Sequence, residues 1–190
     1  MTPEEAVPET HPLTALVNDR PGVLTRVSGL FRRRGFNISS LAVGHSEMAN
    51  LSRMTFNVEG DDYVVEQVTK QLYKLIDVVR VNDISAESIV ARELALIKVK
   101  ATGQTRAEII EIVDIFRANI VDVGPESLII ETTGDEHKVD ALLQLLKPFG
   151  IREIMRTGRV AMARGAPATG SRRATATHTD QSAPDTEVVP

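Results

Sequence analysis

The sequence predicts an α+β protein built from two tandem ferredoxin-like (βαββαβ) units of roughly 70 residues each, with disordered tails at both ends. Three observations predict it. Apolar residues switch between helical spacing and strand alternation in the same order twice along the chain. Glycine, proline and aspartate fall at the joints between these stretches. Residues 1–11, rich in Glu and Pro, and residues 165–190, rich in Ala, Thr, Ser and Pro, carry no apolar period at all.

The first unit spans residues 12–84. Leu13 to Val17 reads as a strand, and Val23, Leu24, Val27, Leu30 and Phe31 mark the apolar face of a helix. Arg32, Arg33 and Arg34 crowd its last turn before Gly35, which suits both the helix dipole and a glycine stop. Phe36 to Val43 is a second strand. In the third, Met54, Phe56 and Val58 alternate with Arg53, Thr55 and Asn57, the pattern of a half-buried strand. A turn at Gly60, Asp61 and Asp62 opens a second helix, with Val64 or Val65, Val68, Leu72 and Leu75 on one face; Val78 to Val81 is a fourth strand.

Residues 85–91 read as a linker, and residues 92–164 repeat the pattern. Leu94 to Val99 is a strand, Ile109, Ile112, Val113 and Phe116 mark a helix, and Ile120 to Val123 and Leu128 to Glu131 are strands joined at Gly124 and Pro125. Val139, Leu142, Leu143 and Leu146 form another helical stripe. Strand-like stretches follow at Ile151 to Met155 and Arg159 to Ala163.

Composition narrows the function. Hydrophobic residues make up 42% of the 190, enough for two small cores, and a formal charge of −4 gives no general attraction to nucleic acid or anionic lipid. The absence of Cys excludes disulfides, thiolate catalysis and Cys-based metal sites. The first residues lack the basic start and apolar core of a signal peptide, and no run approaches membrane-spanning length, so a soluble cytoplasmic protein is expected.

One loop stands out chemically. Between the first strand and helix lie Asp19, Pro21 and Gly22, a helix start whose unpaired backbone N–H groups and dipole suit a small anion such as a carboxylate. The plainer reading is that these residues only begin a helix. In the second unit the corresponding segment is ATGQTRAE, without the Asp-x-Pro-Gly run.

A catalytic set is missing. The histidines His11, His45, His137 and His178 are scattered, two of them in or near the expected tails, and His45 with Glu47 makes a close His–carboxylate pair in a loop after the second strand. No Ser-His-Asp order, P-loop, dinucleotide fingerprint or metal-binding helix motif occurs, so no catalytic residue and no metal site is assigned. Asp61, Asp62 and Glu66 read as an acidic first helical turn. RNA recognition on this fold needs aromatic platforms with basic surroundings, and the third strand offers Phe56 alone. An acylphosphatase-like site would need an arginine and an asparagine; Arg20 and Asn37 supply the types, but the loop spacing does not fit.

With these segments in view, the chain resembles the regulatory (small) subunit of acetohydroxyacid synthase, also called acetolactate synthase. The resemblance runs from about Leu13 to Gly165. It rests on DRPGVLTRVSGLFRRRGFNISSLAVG, SRMTF at Ser52 to Phe56, QVTKQLYKLIDVVRV at Gln67 to Val81, RELALIKV at Arg92 to Val99, and IFRANIVDVGPESLIIETTG at Ile115 to Gly134. It implies a protein without catalysis of its own, which activates a catalytic large subunit that joins two pyruvates into acetolactate and CO2, and which confers feedback inhibition by valine. It also implies that this chain holds no cofactor, and that thiamine diphosphate, Mg2+ and FAD belong to the catalytic partner. The first unit would be an ACT domain pairing side by side with a second copy as a homodimer. Valine would bind at that interface, with Asp19, Arg20, Pro21, Gly22, Val23 and Leu24 on one wall and Asn37 and Ile38 of the other protomer facing them. Many family members have Asn where this chain has Asp19, and Glu where it has Asn18. A stand-alone ACT-domain amino-acid sensor is the alternative from a different class.

Overall fold

Strand β1 (Thr10–Asn18) is longer than its apolar core suggests. His11, assigned above to a tail, is buried in it, its Nε2 lying 3.0 Å from the Gly60 carbonyl oxygen. That burial depends on a partner 49 residues away, which no local pattern announces. The computed structural model describes residues 10–165; the rest of the two expected tails lies outside the described residues.

After β1 the first unit continues through α1 (Val23–Arg34), β2 (Asn37–His45), β3 (Leu51–Glu59), α2 (Asp62–Leu72) and β4 (Val78–Asp83). Each helix begins and ends where the side chains dictate. The Asp61 carboxylate accepts from the Val64 N–H, 2.9 Å away, and so caps α2; α1 ends at Gly35, whose N–H bonds back to the Arg32 carbonyl. The four strands form an antiparallel sheet in the order β2-β3-β1-β4. Between this sheet and the helices, Leu13, Val17, Val27, Phe31, Phe56, Val68 and Leu72 form the core. Phe31 and Phe56 stack at 5.4 Å between ring centroids.

The second unit repeats this layout. It runs through β5 (Ile89–Lys100), α3 (Arg106–Ile115), β6 (Asn119–Val123), β7 (Ser127–Gly134), α4 (Glu136–Leu146), a single 3-10 turn (Lys147–Phe149) and β8 (Ile151–Arg156). Its strand order, β6-β7-β5-β8, is that of the first unit. Ile97, Ile109, Leu128, Ile130, Leu142 and Leu146 fill its core.

Two sequence expectations change here. The segment 85–91 is not all linker, because β5 begins at Ile89 and its first residues, Ile89 to Arg92, pair with β9 (Val160–Ala163). A four-residue pairing across some seventy positions leaves no alternation long enough to detect. Nor is β3 half-buried: Thr55 and Asn57, on the face away from the helices, are 5% and 4% exposed. The second unit reaches this face at a tight corner. The Arg159 N–H donates to Ser40 Oγ at 2.9 Å, and a Cβ placed on Gly158 would stand 2.6 Å from the same oxygen, so only glycine fits there.

Phe56 is fully buried between β1, β2 and α1. Phe56→Ala should lower the unfolding free energy by about 3–5 kcal/mol, measured by urea denaturation.

Candidate functional site

The β1–α1 loop owes its shape to one glycine. Gly22 is the N-cap of α1 and adopts φ +85°, a left-handed backbone that other residues rarely take, so Pro21 stands just before the cap and not at the first helical position. Without a side chain to accept, the cap leaves donors free. Among the described residues the N–H groups of Gly22, Leu24 and Thr25 make no backbone hydrogen bond, and the Val23 N–H reaches the Arg20 carbonyl only at 3.4 Å. No acidic side chain occupies the first turn, so the positive end of the helix dipole is uncompensated.

The matching helix start in the second unit also lacks a side-chain cap at its N-cap Thr105, but Glu108 occupies its first turn and two threonines brace the loop before it. Thr105 Oγ1 accepts from the Thr102 N–H at 3.0 Å, Thr102 Oγ1 accepts from the Thr105 N–H at 3.4 Å, and the two hydroxyls bond each other. Arg106 is spent on the carbonyls of Gly124 and Pro125. The first unit differs in having neither an acidic side chain in the first turn nor such a brace.

A residue that sequence reasoning missed holds the loop in place. Asp77, in the turn before β4, is buried, and its carboxylate accepts from Arg20 Nε at 2.6 Å and from Arg26 Nε at 2.5 Å. Its carbonyl accepts from the Asn18 N–H at 2.8 Å. Burial on its own would raise the Asp77 pKa, but the hydrogen bonds and charges of Arg20 and Arg26 outweigh it and hold the carboxyl below its ordinary value. Arg20, expected on the wall of a ligand site, is thus turned toward Asp77. Nothing local distinguishes Asp77 from an ordinary turn aspartate; the signal is the pair of arginines 57 and 51 residues upstream.

The other expected site residues divide into two groups. Asp19 is exposed beside the loop, with its Oδ2 2.9 Å from His45 Nδ1. His45 is therefore not paired with Glu47, which instead takes the Arg53 guanidinium at 2.9 Å. The Val23 side chain is buried in its own core, whereas Leu24 is 46% exposed and stands beside the free N–H groups. Asn37 and Ile38 lie elsewhere. Asn37 pairs with Glu59, which in turn pairs with Thr10, so it stands at the far end of the sheet from the loop, about 27 Å along β1 at the usual rise per residue. Its Nδ2 donates to Glu59 Oε2 at 2.5 Å, and Ile38 packs partly against the core. Within one chain the two halves of the expected site are not brought together.

Among the described residues no group of three or more His, Asp or Glu is placed to hold a metal ion, and no helix is long and apolar enough to cross a membrane.

The clamp on Asp77 has a defined pH signature. Because its folded-state pKa is depressed, its contribution to stability is full above the unfolded carboxylate value of about 4 and is lost as pH falls through the folded value. Asp77→Asn should reduce the urea midpoint at pH 7, and the gap to the wild type should narrow as unfolding is repeated at progressively lower pH below about 4.

Comparison with known proteins covers both units. Residues 13–80 match the family described as AHAS small subunit-like ACT domain, and residues 92–165 match the family described as small subunit of acetolactate synthase. A probable acetolactate synthase small subunit of Archaeoglobus fulgidus is 59% identical over 155 residues, covering 82% of this chain and 97% of that one. The acetolactate synthase small subunit of Mycobacterium bovis is 55% identical over 158 residues, covering 83% and 94%. The crystal structure of the small subunit from Thermotoga maritima is 48% identical and superimposes with a TM-score of 0.78 over 83% of this chain and 98% of that one. With its fold, both of its units and nearly all of its described residues matched in this way, the chain belongs to the acetolactate synthase small subunit family, and its first unit is an ACT domain.

Proposed function

We propose that this chain activates the catalytic large subunit of acetolactate synthase, and that it makes the formation of acetolactate from pyruvate sensitive to valine. Thiamine diphosphate, Mg2+ and FAD then belong to the catalytic subunit, and this chain contributes no catalytic residue. The observation that carries the reading is the uncapped start of α1 in a chain of this family. Free N–H groups at Gly22 and Leu24 suit the valine carboxylate, the exposed Asp19 carboxylate suits its ammonium, and Leu24 offers apolar surface to its side chain.

The missing half of the pocket is supplied by a second copy. β2 is an edge strand, hydrogen-bonded to β3 on one side only. If two copies pair antiparallel along this edge, the start of one β2 lies beside the end of the other. Asn37 and Ile38 of one protomer then meet the partner's His45 end, where Asp19 and the loop sit. Valine held across such a seam favours the arrangement of protomers that closes the pocket, and that differential affinity is what inhibition requires.

The loop is tested at its cap. A Cβ on Gly22 would lie 3.2 Å from Arg26 Nη1 in a backbone strained for any side chain, and a carboxylate there opposes the ligand's own. Gly22→Asp should abolish valine inhibition of acetolactate production while the variant still activates the catalytic subunit; full valine sensitivity in this variant would remove the loop from the site. Leucine and isoleucine should inhibit the mixed subunits more weakly than valine, because a misfitted methylene costs about 1–3 kcal/mol. A chain that bound valine yet left acetolactate production unchanged in the mixture would instead be a stand-alone sensor.

A further inference from the structure

The second unit grips β2 close to the residues proposed above as the far wall of the valine pocket. Asn37 and Ile38 open this strand, and its pairing with β3 then slips by one residue between Ile38 and Ser40, the mark of a bulge. Ser40 follows directly, paired with Asn57 on the sheet face away from the helices. Three positions of strand, at most about 10 Å, separate Ser40 from Asn37.

The element that reaches Ser40 is a corner of the second unit, Thr157 to Arg159, between β8 and β9. Its base is fixed on its own unit. The Thr157 N–H donates to the Leu94 carbonyl at 3.1 Å, the Leu94 N–H donates back to Thr157 Oγ1 at 3.1 Å, and the neighbouring Arg156 guanidinium is held by Glu93 and, at 2.8 Å, by Asp140. Its tip is fixed on the first unit. The Arg159 N–H donates to Ser40 Oγ, while Arg159 Nη1 turns back to Glu136 at the start of α4, 3.4 Å away. Gly158 takes φ +81° and lies so close to β2 that an added Cβ would stand 3.4 Å from the Leu41 carbonyl oxygen as well as against Ser40 Oγ. A side chain at 158 therefore displaces either the corner or the hydroxyl it holds.

We propose that this corner couples the valine pocket to the second unit, an inference that rests on the valine reading of the β1–α1 loop and of Asn37 and Ile38. When valine draws Asn37 and Ile38 toward the partner's loop, β2 carries Ser40 with it. The corner, anchored at both ends, passes that displacement to β5 and α4. The second unit thus takes part in inhibition without contacting the ligand. Coupling of this kind is a free-energy difference between two arrangements, so loosening the corner weakens the response without emptying the pocket.

The test separates valine binding from valine inhibition. Ser40→Ala removes the acceptor of the Arg159 N–H, and Gly158→Ala sets a methyl group against β2. L-valine is titrated into each full chain by calorimetry, and acetolactate production is followed with each chain mixed with the catalytic subunit. Both variants should bind valine within about twofold of the wild type and still activate the catalytic subunit, while the activity left at saturating valine rises about threefold or more, the scale of one lost hydrogen bond. Should Gly158→Ala fail to fold, Ser40→Ala decides, since it deletes a single oxygen. Inhibition of Ser40→Ala as deep as that of the wild type overturns the coupling and leaves the valine site standing. Parallel loss of binding and inhibition overturns it too, because the corner then only shapes the pocket. A wild-type chain that binds no valine removes the valine reading, and the coupling with it.

Discussion

A buried carboxylate has to be paired, and in this chain that requirement fixes the most important loop. Asp77 lies sealed behind the β1–α1 connection, and the two guanidinium groups that neutralise it come from either side of Gly22. Arg20 is pulled back on one side and Arg26 on the other, while the backbone between them swings outward. The left-handed turn at Gly22 is the geometry that lets both arginines face the same partner. The free N–H groups at the start of α1 are thus held open by a charge pair beneath them, so ligand recognition at this position and stability of the first unit share residues.

The fold was legible because both units bury one clean face. In α1, Val23, Val27, Leu30 and Phe31 recur at helical spacing and are the residues that pack, and the same holds for Val139, Leu142 and Leu146 in α4. What escaped was whatever depends on distant partners. His11 looked like part of a tail because its acceptor is the Gly60 carbonyl. Asn57 looked like the solvent side of a strand, but the second unit folds back against that face. Ile89 to Arg92 looked like a linker because the strand it joins comes at the other end of the unit.

The site was legible only in part, for the same reason. Asp19, Gly22 and Leu24 could be picked out because an uncapped helix start is a local property. Asp77 could not, because its importance lies in two arginines that are far away in sequence. The Val23 side chain is buried in its own core, and Ile38 is half-buried against it. Tandem units that agree in strand order, β2-β3-β1-β4 and β6-β7-β5-β8, still differ in chemistry at the first helix start. In the second unit a threonine pair braces the loop and Glu108 sits in the first turn; the first unit has neither.

The short ladder between the start of β5 and β9 makes the second unit a closed circuit. The chain enters at Ile89 and leaves at Ala163, and those two residues face each other across the ladder. Entrance and exit are therefore one place, beside the seam with the first unit. Tension applied to the chain beyond residue 163 would be borne by this ladder and passed to the seam, with the packed core of the second unit left unloaded. The second unit is thus mounted like a pendant on a clasp, and a load at the C-terminal end would be felt first where the two units meet.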